Sequence, residues 1–223
     1  MIKAVIFDMY ETLITLFDSP LYFSTEIAAD AGIPLTDFQK IWRPAEKNRT
    51  IGKITLEKLL ETILKTYGCY SEELLARIVE KRMECRRAPF EHLHPEILPL
   101  LEKLKDEGVK IGLISNCFSE EAVAIRESVL FPYFDVVCLS YEEGLQKPEP
   151  AIFERCIEKL QVRPEECLYV GDGGSSELPA ATAAGMQAVQ AVWYLRDGTL
   201  QPARRMKEYR NIERPMDILE ITS

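Results

Sequence analysis

Apolar residues run unbroken through AVIF at positions 4 to 7 and stop at a carboxylate, Asp8. Similar short runs return in KIGLIS (110–115), DVVCLS (135–140), CLYVGD (167–172) and QAVQAVW (187–193). The first four show little alternation of apolar and polar positions, as strands do in a sheet covered on both faces. The intervening segments carry the helical period instead. PEILPLLEKLKDEG (95–108) places Ile97, Leu98, Leu101 and Leu104 on one stripe, with Pro95 near the start and Gly108 as the stop. Ser119 is expected to cap a helix from 120, and further helices are expected over Glu149–Leu160 and Leu178–Ala184, the last closed by Gly185.

Strand and helix in this repetition predict an α/β fold, a Rossmann-like, mostly parallel sheet joined by right-handed crossovers. One interval breaks the rhythm. From about 20 to 88 only helical patterns occur, over 21–31, 36–47, 55–67 and 71–87, punctuated by Gly32–Pro34, Gly52 and Gly68. The simplest account is an all-helical cap domain, residues 15–90, inserted into a core domain made of residues 1–14 and 91–223. Its two ends return close to Asp8, where a lid over a site belongs.

The chain has 223 residues, 47% of them hydrophobic and 28% charged, which suits a globular protein with a substantial core. A formal net charge of -9, with no concentrated basic surface, argues against a nucleic-acid partner. No apolar run reaches the roughly 18 residues of a membrane span, and only four apolar residues separate Lys3 from Asp8, so neither a membrane partner nor a secretory signal is expected. The six cysteines, at 69, 85, 117, 138, 156 and 167, make no C-x-x-C pair. Most lie in or beside apolar segments, as reduced thiols of a cytoplasmic protein do.

In doubly wound sheets, ligands bind beyond the carboxyl ends of the strands. Four polar groupings fall there, namely Asp8, Ser115–Asn116, Lys147 before Pro148, and Asp172 in GDGGSSEL (171–178). Taken singly, each has an ordinary reading as a turn residue, a helix cap, a surface lysine or a glycine-rich turn. All four at one edge of one sheet, in order, point to a common site.

With these residues in place, the sequence resembles the haloacid dehalogenase-like hydrolase superfamily from Ile2 to about Val192. The family's first motif, aspartate, any residue, aspartate and commonly glycine-threonine-leucine, is matched by Asp8, Met9, Tyr10, Glu11, Thr12 and Leu13. Ser115 with Asn116 matches the second motif, Lys147 with Pro148 the third, and Asp172 with Glu177 the fourth. The helical insertion corresponds to the family's C1-type cap. The resemblance implies a Mg²⁺-dependent hydrolase of small phosphate monoesters. Asp8 would form an aspartyl-phosphate, with Mg²⁺ held by Asp8, Asp172, Glu177 and the main-chain carbonyl of Tyr10. Ser115 and Asn116 would bind the phosphoryl oxygens, and Lys147 would balance growing charge. Thr12 is expected to support the loop. The partner is a small phosphate ester, with the protein a monomer or homodimer.

Two positions depart from that pattern. Glu177 replaces the customary aspartate, a change that bound water can absorb. Tyr10 replaces the aspartate that protonates the leaving alcohol, and a phenol of ordinary pKa near 10 suits that work poorly. Glu11, standing where glycine is usual, offers another carboxylate nearby. Tyr10 also resembles the first motif of the 2-haloacid dehalogenases, where a halide leaves unprotonated and no metal is needed. GDGGSSEL is the phosphatase-like form, since an aspartate and a glutamate beside Asp8 repel one another without a cation. The alternatives are therefore a metal-independent 2-haloacid dehalogenase and a non-catalytic phosphate-binding protein.

Outside the motifs, WRPAEKNRTIGK (42–53) concentrates Arg43, Lys47, Arg49 and Lys53 against Glu46. Arg49 is the expected substrate contact, because guanidinium grips a second anionic group with two prongs. His92 and His94 have no third ligand near them in sequence. The tail from 196 to 223, with Arg204, Arg205, Lys207 and Arg210, reads as a solvated segment against the sheet edge.

Overall fold

β1, Ala4–Phe7, is buried along its whole length because it has a parallel neighbour on each side. In the computed structural model, which describes residues 1–196 and 204–222, the other strands are β2 (Lys110–Ser115), β3 (Val136–Leu139), β4 (Cys167–Gly171), β5 (Gln187–Ala191) and β6 (Arg210–Ile212). Together they form one parallel sheet in the order β3-β2-β1-β4-β5-β6. Strand order reverses between β1 and β4, which makes the carboxyl ends of these two strands the natural place for a ligand.

Register fixes what meets there. Phe7 pairs with Leu113 on one side and Val170 on the other, so Asp8 and the residues after Val170 leave the sheet at one edge. Alternate side chains of the central strands enter two separate cores. Val5, Phe7, Leu113 and Val170 pack on one face, against Leu100, Leu101 and Leu104. Ala4, Ile6, Ile114 and Tyr169 pack on the other, against Phe153, Ile157 and Leu178.

The interval between β1 and β2 is helical, as expected. It holds α1 (Ser24–Ala31), α2 (Leu35–Trp42), α3 (Glu46–Thr50), α4 (Leu56–Thr66) and α5 (Glu72–Arg87). The side chains of Thr55 and Ser71 accept hydrogen bonds from Lys58 N (3.3 Å) and Leu74 N (3.0 Å), so polar caps set where α4 and α5 begin. These helices enclose an apolar cluster of their own, built on Ile27, Phe38, Leu60, Ile63, Leu64 and Ile78.

The sheet is covered by α6 (Ile97–Asp106), α7 (Ser119–Glu127), α8 (Ser140–Glu143), α9 (Pro150–Leu160), α10 (Glu177–Ala183) and α11 (Leu219–Thr222). Ser119 does not cap its own helix. Glu121 accepts the Phe118 N–H at the start of α7 (3.0 Å), which leaves the Ser119 hydroxyl to accept Leu56 N across the junction with α4 (3.0 Å). The tail is more ordered than a solvated segment. Arg210–Ile212 adds β6 to the sheet edge, and buried Gln190 ties it down by accepting Met206 N and donating to the Arg204 and Asp172 carbonyls. The expectations for 197–203 and Ser223 lie outside the described residues. All six cysteines are free thiols. Among the described residues no helix is long and apolar enough to cross a membrane.

Gly52 closes the gap between the α3 end and the core. Its φ is +73°, and a Cβ there runs into the Tyr141 carbonyl. Gly32 has a similar φ of +68° with open space around it. Gly52→Ala is therefore expected to lose clearly more stability in denaturant titrations than Gly32→Ala, which carries only the left-handed backbone cost of about 1–3 kcal/mol.

Candidate active site

Four buried ionisable side chains converge at the carboxyl edge of β1 and β4. Asp8 follows β1, Asp172 follows β4, Glu177 opens α10 and Lys147 comes from the loop before α9. Their exposures are 6%, 7%, 0% and 3% respectively, so water screens them little. Lys147 Nζ donates to Asp8 Oδ1 at 2.6 Å and to Glu177 Oε2 at a still shorter distance. Carboxylate oxygens of Asp8, Asp172 and Glu177 lie within 4.8 Å of one another.

The local sequence explains each placement. Gly171 lacks a side chain because Glu177 occupies the space where its Cβ would stand. Gly174 N donates to Asp172 Oδ1 (2.8 Å) and Gly173 N to Glu177 Oε1 (3.2 Å), so the GDGG turn orients both acids. Tyr169 donates its hydroxyl to Glu177 Oε2 (2.8 Å). Asn116 pins the lysine loop, with Oδ1 accepting Lys147 N (2.7 Å) and Nδ2 donating to Lys147 O (3.0 Å).

Charge does not balance here. Three carboxylates face one ammonium, and burial makes each uncompensated charge costly. Burial, followed by the Glu177 charge, pushes the Asp8 carboxyl up to about 7 despite Lys147. Burial and the Asp8 charge push Asp172 up to about 7. Glu177 is also raised, by burial above all, with Lys147 opposing. Burial works against the Lys147 ammonium, but Asp8 and Glu177 more than offset it and hold its pKa above the ordinary lysine value. With all three carboxylates ionised the cluster carries two net negative charges, which a divalent cation would balance, and carboxylate oxygens of this kind suit a small hard ion.

Other expected residues take varied places. Ser115 is buried beneath this edge with its hydroxyl unpartnered. Tyr10 lines the cavity beside Asp8, about 200 Å³ in volume, but its hydroxyl has no partner. Burial raises the phenol pKa well above its ordinary value, with the Glu121 charge adding to it. Glu11 also lines this cavity, yet its carboxylate accepts the Thr15 hydroxyl (2.8 Å) and Leu16 N (2.9 Å), which holds the turn after Tyr10. Thr12 supports the same turn, its carbonyl accepting the Trp193 indole N–H (2.8 Å).

Arg49 does not line the cavity around Asp8. It is 2% exposed, ion-paired to Glu120 at 2.7 Å, and clamped between the Trp42 and Phe118 rings. Of the basic segment, exposed Arg43 and Lys47 line a wider cleft of about 680 Å³ that shares Asn116, Lys147 and Ser175 with the Asp8 cavity. His94 turns away from both cavities, its Nδ1 accepting Glu96 N (3.2 Å). Sequence reasoning missed Tyr169, Ser175 and Gln190. The signal for Tyr169 was a phenol in an otherwise aliphatic buried strand, whose hydroxyl requires a partner.

Fold and site together define a doubly wound hydrolase-type centre, and the comparisons agree. Residues 2–185 match the haloacid dehalogenase-like hydrolase family, to which this chain belongs. A glyceraldehyde 3-phosphate phosphatase from Methanopyrus kandleri is 27% identical, with 99% of this chain and 97% of that protein aligned. Among solved structures, a HAD phosphatase from Thermococcus onnurineus superposes with TM-score 0.63 at 25% identity, covering 99% of this chain and 97% of its own. A 2-haloacid dehalogenase from Pseudomonas syringae pv. Tomato DC3000 gives TM-score 0.69 at 24% identity, covering 99% and 98%, and shares the fold.

Asp8 and Asp172 bind protons more tightly folded than unfolded. Their contribution to stability is complete below about pH 4 and is lost as the pH rises through about 7. In chelator, Asp172→Asn should therefore gain on the wild type as pH rises, by about 2–4 kcal/mol near pH 8. Denaturant titrations at several pH values measure this difference, and a difference that does not grow with pH contradicts it.

Proposed function

We propose that the protein is a Mg²⁺-dependent hydrolase of small phosphate monoesters, with Asp8 as nucleophile. The observation that carries this reading is the convergence of Asp8, Asp172 and Glu177 within 4.8 Å around a single lysine. A phosphoryl dianion approaching such a cluster is repelled unless a cation stands between them. The M. kandleri phosphatase, similar over nearly the whole chain, supports a phosphate ester as substrate.

Asp8, Asp172, the Tyr10 carbonyl and Glu177 would hold Mg²⁺. When bound, the ion supplies charge screening and polarises a phosphoryl oxygen. The Asp8 carboxylate attacks phosphorus, and the ester P–O bond breaks with its electron pair leaving on the alcohol oxygen. Lys147 keeps Asp8 oriented and offsets charge, while the Ser115 hydroxyl and the Asn116 N–H donate to the phosphoryl oxygens. Water then attacks phosphorus, which frees the Asp8 carboxylate and releases inorganic phosphate. The helical unit, residues 15–90, acts as a cap over the core of residues 1–14 and 91–223.

Proton transfer is the weak part of this machinery. With its pKa raised by burial, Tyr10 is a poor donor and a worse base, and Glu11 is engaged within its own turn. Turnover is accordingly slow for alcohols that need a proton to depart. The same tyrosine favours a second reading, metal-independent 2-haloacid dehalogenation, in which halide leaves unaided and Asp8 attacks carbon. A third is phosphate binding without turnover.

With Mg²⁺ present, aryl phosphates should be hydrolysed faster than alkyl phosphates by about 10²–10⁴, the usual contribution of a general acid. Chelation or Asp8→Asn should reduce phosphate release to background. Halide release from a 2-haloacid in chelator, with no phosphate release, replaces the reading with the second. Retained Mg²⁺-dependent binding of a phosphate mimic without any turnover replaces it with the third.

A further inference from the structure

Above the acidic cluster, a second buried charge cluster spans the seam between the helical unit and the core. Arg49 from α3 and Arg82 and Arg86 from α5 meet Glu120 and Glu121 of α7. Glu120 Oε1 accepts from Arg49 (2.7 Å) and Arg82 (3.1 Å), and Glu121 Oε1 lies 3.4 Å from Arg82 Nη2 and 3.1 Å from Arg86 Nε. Arg82 also donates to the Tyr22 carbonyl, 2.5 Å away. Three guanidiniums thus face two carboxylates, leaving one positive charge without a buried counterpart. Glu46 stands nearby, but on the exposed rim.

The donors are also in excess. Arg86 is 1% exposed, yet its Nη2 has no partner, and its Nε meets Glu121 without the alignment of a hydrogen bond. Arg49 Nε and the Tyr10 hydroxyl are likewise buried and unpartnered. Unmade hydrogen bonds from buried charged groups are among the costlier defects of a folded chain. Arg49, Arg82 and Arg86 line a cavity of about 210 Å³, with Glu46 and Glu121 on it as well and aromatic walls from Phe23, Trp42 and Phe118. Desolvation lowers the pKa of both Arg49 and Arg86, as expected for cations short of negative partners.

Shared walls place this cavity next but one to the Asp8 cavity. Phe118 and Glu121 line both it and the wide cleft, which in turn shares Asn116 and Lys147 with the Asp8 cavity.

We infer that Arg86, with Arg49 Nε, forms a subsite for a second oxyanion on the substrate. This rests on the phosphatase reading and narrows it to phosphate monoesters that carry a carboxylate or a further phosphate. A planar guanidinium fork suits either group, and a low-dielectric aromatic wall strengthens the contact. Because the arginines belong to the helical unit and the glutamates to the core, an anion held here draws the two units together.

The test compares ω-carboxyalkyl phosphates of increasing length, and the matching bisphosphates, with uncharged alkyl phosphates of equal length. Wild-type kcat/KM should favour the doubly anionic series, and Arg86→Met should cut that preference by about ten- to a hundredfold. Phenyl phosphate turnover by each variant is measured alongside, so that a general loss of activity is told apart from a loss of preference. The series showing the Arg86-dependent preference identifies carboxylate or phosphate. Arg86→Lys keeps the charge but not the fork, should lose part of the preference, and decides the matter if Arg86→Met does not fold. The inference is overturned if no length is preferred, or if the preference survives both variants. Phenyl phosphate turnover by the wild type tests the phosphatase reading separately. If that fails, calorimetric binding of ω-carboxyalkyl against alkyl phosphonates to Asp8→Asn still tests the subsite, which equal affinities overturn.

Discussion

Lys147 lies between Asp8 and Glu177, with Asp172 close by and beyond what one ammonium can neutralise. Much of the surrounding structure serves to hold these groups at that distance. Gly171 clears space for Glu177, Asn116 fastens the lysine loop, and Gln190 anchors the Asp172 carbonyl from behind. Removing one partner from such a buried pair typically costs about 3–5 kcal/mol, because the other charge is left stranded. The fold tolerates the arrangement because β1 and β4 are packed on both faces and cannot yield locally.

A second buried cluster, of opposite residual sign, occupies the seam. The core edge carries an excess of carboxylate, and the helical unit brings an excess of guanidinium toward it. Between the two runs a cleft whose rim adds exposed Arg43 and Lys47. The two surpluses are opposite in sign, negative at the lower cluster and positive at the upper one. The charges that face one another across the seam belong to separate packed units.

Tyr10 stands where these two fields meet. Its main chain belongs to the turn after β1, and its ring packs against the core beneath the sheet edge. Burial, followed by the Glu121 charge of the seam, raises the pKa of its hydroxyl. A phenol so buried keeps its proton at neutral pH.

The first five strands, their order along the chain and the helical insertion were legible in the sequence, because apolar periodicity and turn residues act over a few neighbours, whereas β6 was hidden in a tail that reads as polar. Asp8, Lys147 and Asp172 were legible as well, since each directly follows a strand or sits in a loop beyond one. The fates of Arg49, Ser119 and Glu11 were not. Arg49 and Glu120 are 71 residues apart, and Ser119 serves Leu56 from 63 residues away. Nothing near either residue announces its partner. What the chain settled by itself was which residues reach the sheet edge. Which of them face a ligand and which face each other was decided by packing the helical unit against the core, because a buried charge is placed by its partners in space.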